Sequence, residues 1–172
     1  LIEVGLTPNR VDAASHIGVA RDLAAYLRSR GEDVSVKMPD VSAFAPDNHD
    51  LVVKIRVENP EAAPRYAGVT VKNCKIAPSP EWMQNCLRAA GINPKNNLVD
   101  ITNFVLFELG QPLHAFDAAK IEGREVVVRT CAEGTPFVTL DGVERKLTAD
   151  DLMICSAERP MCIAGVFGGL DS

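Results

Sequence analysis

Residues 124–167 carry one short β-type run after another: "REVVVRT", "TPFVTL", "ERKL", "DLMICS" and "MCIAGVF". Between Leu140 and Val143 stands Asp141-Gly142, the strongest short hairpin signal a sequence offers. Upstream, "LVVKIRV" (51–57) alternates like a strand, and "RYAGVTVKNC" (65–74) reads as a second one. Helical patterns interrupt these runs at about 15–30, 79–90 and 101–109. The expected class is therefore α+β, with mostly antiparallel sheets and helices inserted among the strands.

Each helix has start and stop signals. Ser15 can cap the first, whose apolar residues Ile17, Val19, Ala20, Leu23, Ala24 and Leu27 recur at helical spacing until Gly31 stops it. In "SPEWMQNCLRAAG", Ser79 is the expected cap, Pro80 the first helical residue and Gly91 the stop. "DITNFVLFELG" starts at Asp100 or Thr102 and ends at Gly110. The stretch "KMPDVSAFAPDNHD" (37–50) has two prolines and little periodicity, so it reads as a linker. That divides the chain into 1–50, a helical arm and linker leading from preceding domains, and 51–172, the main domain.

The chain has 172 residues and a net charge of −5, which argues against nonspecific nucleic-acid binding. No apolar run approaches the ~20 residues needed to span a bilayer. No secretory signal opens the chain, and both ends read as cut from a longer protein. The five cysteines form no CxxC pair; in runs such as "DLMIC" and "MCIAG" they read as buried, reduced, small apolar side chains.

Chemistry is thin on the residues alone. "GVFGG" (165–169) lacks the Lys and Ser/Thr of a phosphate loop and reads as a turn, with close ligand approach to its backbone as the alternative. There is no GxSxG elbow. His16, His49 and His114 are far apart and suggest no metal site. The densest polar group is Asp100, Thr102, Asn103, Glu108, Gln111, His114 and Asp117, each of which also has an ordinary capping, turn or solvated role.

Four stretches, taken together and in order, carry a resemblance: "LTPNR-D--SHIG-ARDLAA", "NLVDITNFVLFELGQPLHAFD", "LDG---KL---DLMI" and "IAGVFGG". The chain resembles the β subunit of bacterial phenylalanyl-tRNA synthetases over its B3/B4 domain and the segment before it. The resemblance implies a cytoplasmic α2β2 enzyme that attaches phenylalanine to tRNA(Phe), using ATP and Mg2+ outside these residues, with no cofactor or metal in this part. It implies an editing module that hydrolyses mischarged Tyr-tRNA(Phe), with tyrosine or phenylalanine as small-molecule ligand. An apolar amino-acid site rejects an added hydroxyl by only ~100-fold, so a second site that prefers tyrosine has a physical purpose.

Carried over by the motif, His114 matches the editing-pocket histidine and Gly168 a glycine that lets the substrate approach the backbone. Thr102 and Asn103, on the adjoining helix start, are weaker matches; Gln111 and Pro112 are expected to shape the turn that delivers His114. The family pattern continues beyond "FGG" to further pocket residues, an acidic one among them, so the pocket is expected to be incomplete here. The main competing expectation is a structural module that packs on the α subunit and supports tRNA without hydrolysis. A free-standing aminoacyl-tRNA hydrolase and an unrelated small-molecule-binding domain are further alternatives.

Overall fold

The computed structural model describes residues 2–171 and gives two compact units, each built from two stretches of chain. The first unit comprises Leu1–Ala45 and Lys75–Leu113; the second comprises Pro46–Cys74 and His114–Ser172. The units interleave along the sequence, a different partition from a boundary near residue 50. The α+β expectation is met by three helices and mostly antiparallel strands.

The first unit holds α1 (His16–Ser29), α2 (Glu81–Ala89) and α3 (Asn97–Leu109). Ser15 caps α1 as expected, its hydroxyl accepting from Gly18 N–H at 3.0 Å. The ring Nδ1 of His16 lies 3.0 Å from the Phe107 carbonyl, tying α1 to α3. The other two helix starts differ from the sequence reading. Helix α2 begins at Glu81 after Pro80, with no side-chain cap. Helix α3 begins four residues earlier than expected, because Asn96 accepts from both Leu98 N–H and Val99 N–H at 3.1 Å.

That early start explains what Ser79 and Asp100 do instead of capping. Asp100 sits in the first turn of α3, 1% exposed. Its carboxylate accepts from the Ser79 hydroxyl at 2.6 Å and from Lys95 N–H at 2.8 Å. A buried carboxylate survives only with such donors, and here it clamps the entrance of α2 to the first turn of α3. Trp82 and Phe104 meet edge to face at 5.4 Å between the same two helices.

The second unit is a five-stranded sheet in the order β1-β2-β5-β6-β7 beside a two-stranded hairpin of β3 and β4. The ranges are β1 Lys54–Val57, β2 Glu125–Thr130, β3 Pro136–Val138, β4 Glu144–Lys146, β5 Leu152–Cys155, β6 Pro160–Ile163 and β7 Phe167–Gly168. All ladders are antiparallel except β1 with β2. Alternation along β2 and β5 sorts the core onto two faces. Val126 and Ile154 join Ile121, Met161 and Cys162 on one; Val127, Met153 and Cys155 join Phe137 and Leu147 on the other. Because both faces are covered, "VVV" at 126–128 is a continuous buried run.

Two strand expectations change. The run 51–57 narrows to Lys54–Val57, and 65–74 forms no strand. Tyr66 packs on the core, but Val69 and Val71 are 64% and 68% exposed. Alternation supplies an apolar face; a strand also needs a ladder partner, which this stretch lacks among the described residues. The cysteine reading holds for Cys155 and Cys162, while Cys131 is half-buried and Cys74 and Cys86 are exposed. Burial pushes both Cys155 and Cys162 up to about 11, the thiol form favoured by loss of water.

Candidate functional site

The site is best built from β7 outward. The β6–β7 turn runs through Gly165, at φ +70°, with Val166 N–H donating to the Ile163 carbonyl at 3.0 Å. This is the turn expected of "GVFGG". Its two last glycines then face different neighbours. A Cβ on Gly168 would lie 2.5 Å from His114 Cε1, 3.2 Å from His114 Nε2 and 2.8 Å from Leu140 Cδ1. A Cβ on Gly169 would lie 2.7 Å from the Met161 carbonyl oxygen and 3.0 Å from the Phe137 ring. Real Cβ atoms do not approach so closely. Gly168 is therefore the seat of an imidazole, and Gly169 makes room for a core phenylalanine and a ladder carbonyl.

The structure thus brings together His114 and Gly168, residues far apart in the chain. The space over the Gly168 Cα is taken by the His114 ring, where the sequence reading expected a substrate at the backbone. The peptide groups around it are engaged in the protein. Leu140 N–H donates to the Gly168 carbonyl at 3.0 Å, and Gly169 N–H to the Met161 carbonyl at 2.8 Å.

Leu140 reaches Gly168 through the β3–β4 hairpin. Asp141 accepts from Val143 N–H at 3.2 Å and from the Thr139 hydroxyl, and Gly142 supplies the positive φ of +77° that the turn needs. Thr139 pairs with Gly169 in an isolated bridge, and Leu170 N–H donates to the Val138 carbonyl at 3.0 Å. The hairpin is thereby fastened alongside β7 with Leu140 beside the imidazole. On another side, Phe116 lies against His114 with ring centroids 4.5 Å apart and planes inclined by 53°. Phe116 itself packs on the cluster of Ile121, Val126, Ile154, Met161 and Cys162.

His114 stays an exposed residue, but partial burial of its ring lowers its pKa below the ordinary 6.5. The shift favours the neutral imidazole. A neutral imidazole can donate through one nitrogen and accept through the other, which suits it to orienting a polar group or a water molecule.

Thr102 and Asn103 lie in the first unit, inside α3, since that helix starts at Asn97. They are not at a helix start, and the Thr102 hydroxyl is spent on the Val99 carbonyl at 2.7 Å. In the same unit, Gln111 Nε2 donates to the Pro112 carbonyl at 3.2 Å. Leu140 and Phe116 escaped the sequence reading as site residues. The only signals were Leu140's place before Asp-Gly and Phe116's place two residues after His114. Among the described residues no group of three His, Cys, Asp or Glu side chains is arranged to hold a metal ion.

Fold and site together define a sheet domain with a histidine seated on a strand glycine. Comparison with known proteins specifies it further. The family model described as "B3/4 domain" matches residues 62–172, and the chain belongs to that family. The whole chain is also similar to "Phenylalanine--tRNA ligase beta subunit" of Bacteroides fragilis, 63% identical over 172 residues. The proteins of the same name from Bacteroides thetaiotaomicron and Bacillus subtilis strain 168 are 60% and 49% identical, again over 100% of this chain. Each alignment covers 21% of the relative, so the chain spans about a fifth of the length of these proteins.

Proposed function

We propose that this chain is the editing module of a phenylalanine–tRNA ligase β subunit and hydrolyses the ester of mischarged Tyr-tRNA(Phe). The observation that carries this reading is the pairing of His114 with Gly168, the two residues singled out by the motif. In this reading residues 1–50 lead in from preceding domains. The whole protein works in the cytoplasm with an α subunit and tRNA(Phe), and ATP and Mg2+ act elsewhere in that assembly. No helix among the described residues is long and apolar enough to cross a membrane.

The proposed reaction is attack of a water molecule on the ester carbonyl, releasing tyrosine and leaving the terminal ribose hydroxyl free. His114, in its neutral form, orients the ester or the water, and the neighbouring ribose hydroxyl assists. Selectivity for tyrosine comes from polar groups that its hydroxyl satisfies and that phenylalanine would leave unpaired. The test is a crystal of the full-length protein soaked in L-tyrosine. Ordered tyrosine with a polar group on the His114 imidazole is the expected result; an empty, closed site would overturn the reading.

A packing role without hydrolysis is favoured by α3. Its apolar residues Val99, Ile101 and Leu106 are 37–44% exposed, while Asp100 is its buried residue. A helix apolar on most sides is usually covered. That face and the His114 site concern different parts of the chain, so both roles can coexist.

A further inference from the structure

Two cysteines that read in sequence as small apolar side chains meet inside the second unit. The Cys131 and Cys155 sulfurs lie 4.0 Å apart, and both thiols are free. They sit on the face of the sheet where Val127, Phe137, Leu147 and Met153 pack. Cys162 belongs to the cluster on the other face, and Cys74 and Cys86 are exposed.

We propose that Cys131 and Cys155 are a peroxide-oxidisable pair whose disulfide closes the loop carrying the β3–β4 hairpin. The pairing does not depend on the editing reading. It asks for a small movement. A disulfide holds its sulfurs about 2.0 Å apart, so the gap closes by about 2 Å. Both cysteines stand where the ladder is irregular. Cys131 is the residue after β2, which ends at Thr130. Cys155 ends β5, and the pairing with β6 shifts register between Ile154 and Cys155. Such positions adjust more readily than residues inside a regular ladder.

The two sulfurs have unequal roles. Cys155 is 0% exposed. Burial and the neighbouring Cys131 push its thiol up to about 11, while Arg129 beside it pulls the other way. Cys131 is half-buried. Arg129 also keeps a buried Nε with no hydrogen-bond partner among the described residues. An unspent cationic donor next to the pair favours a thiolate over a thiol. Cys131 is therefore the sulfur that peroxide reaches first. Its thiolate attacks one oxygen of hydrogen peroxide, forming a sulfenic acid and releasing hydroxide, which takes up the proton the thiol lost. The Cys155 sulfur then attacks the sulfenic sulfur. The S–S bond forms as the S–O bond breaks, and the departing hydroxide takes the Cys155 proton. Two thiols give up two electrons, and one peroxide becomes two water molecules. The bridge encloses β3 and β4. The closed loop carries Thr139 and Leu140, which fasten the hairpin alongside β7.

The experiment uses the full-length protein in its native assembly. Hydrogen peroxide is raised until the exposed Cys74 and Cys86 are oxidised, and the protein is then unfolded and alkylated without reductant. Cleavage after Lys, Arg and Glu separates Cys155 from Cys162, because Glu158 lies between them. Mass spectrometry reads each cysteine.

The expected product is a peptide linked through Cys131 and Cys155. Both should leave the alkylated pool in equal amount and return with dithiothreitol. In Cys155→Ser the link should vanish and dimedone should trap Cys131 as its sulfenic acid. In Cys131→Ser, Cys155 should stay alkylatable. Cys131 and Cys155 both alkylatable in the treated parent would overturn the pair. So would a link from Cys131 to any other cysteine, or a Cys131 sulfinic acid formed in the parent without a link to Cys155. The parent decides these outcomes without any substitution, so a variant that fails to fold leaves the test intact.

Discussion

Gly168 and Gly169 are chemically identical neighbours with different obligations, and substitution should separate them. Gly168→Ala pushes against a side-chain ring and the tip of Leu140, both of which can move. It should leave the unfolding temperature almost unchanged while displacing His114. Gly169→Ala pushes against a backbone oxygen and the ring of Phe137, which is 6% exposed. It should cost about 1–3 kcal/mol of stability, as overpacking of a core does. Thermal unfolding of both variants checks this; equal destabilisation would contradict the division. The sequence made His114 and Gly168 legible because a long specific motif surrounds them. It did not reveal that one sits on the other, since no local pattern connects residues separated by three strands and a hairpin. Leu140 and Phe116 were hidden for the same reason: apolar side chains become site residues only through what the fold puts beside them.

At the scale of elements, local signals worked where the deciding interaction was local. Ser15 capped α1, Asp141-Gly142 turned β3 into β4, and the strand runs after residue 124 paired as expected. They worked less well where a distant partner decided. Asp100 looked like a cap, but burial against Ser79 made it a clamp, and Asn96 took the capping role. Asn96→Ala should therefore destabilise the chain by about 1 kcal/mol in chemical denaturation, and Thr102→Ala by much less. In the hairpin, the Thr139 hydroxyl and Val143 N–H hold the Asp141 carboxyl below its ordinary 3.8. A lowered carboxyl pKa means the unfolded chain binds the proton first. The contribution of Asp141 is thus present above 3.8 and is lost as pH falls below it. Thermal unfolding followed from pH 6 to pH 3 should show Asp141→Asn already weakened at neutral pH and less sensitive to acid than the parent. The stretch 65–74 had the alternation of a strand, but its ladder partner could not be read from its own residues.

For the whole molecule, the sequence conveyed class and family, while the interleaving of the two units was not visible in it. The linker at 37–50 suggested a simple break, yet the chain leaves the second unit at residue 74 and returns at His114. Cysteine exposure follows the fold in the same way. Brief alkylation of the native chain at pH 8 should label Cys74 and Cys86 and spare Cys155 and Cys162, which are buried and held as thiols to about pH 11. Peptide mapping of the alkylated protein reads this directly. We propose that His114, seated on Gly168, serves the removal of tyrosine from tRNA(Phe). The most direct test is single-turnover deacylation of preformed Tyr-tRNA(Phe) by the full-length assembly, comparing the parent with His114→Ala and Gly168→Ala. Both variants should slow release by tenfold or more, on the order of a lost positioned catalytic group, while phenylalanine attachment stays at the parental rate. Parental deacylation in both variants would contradict it.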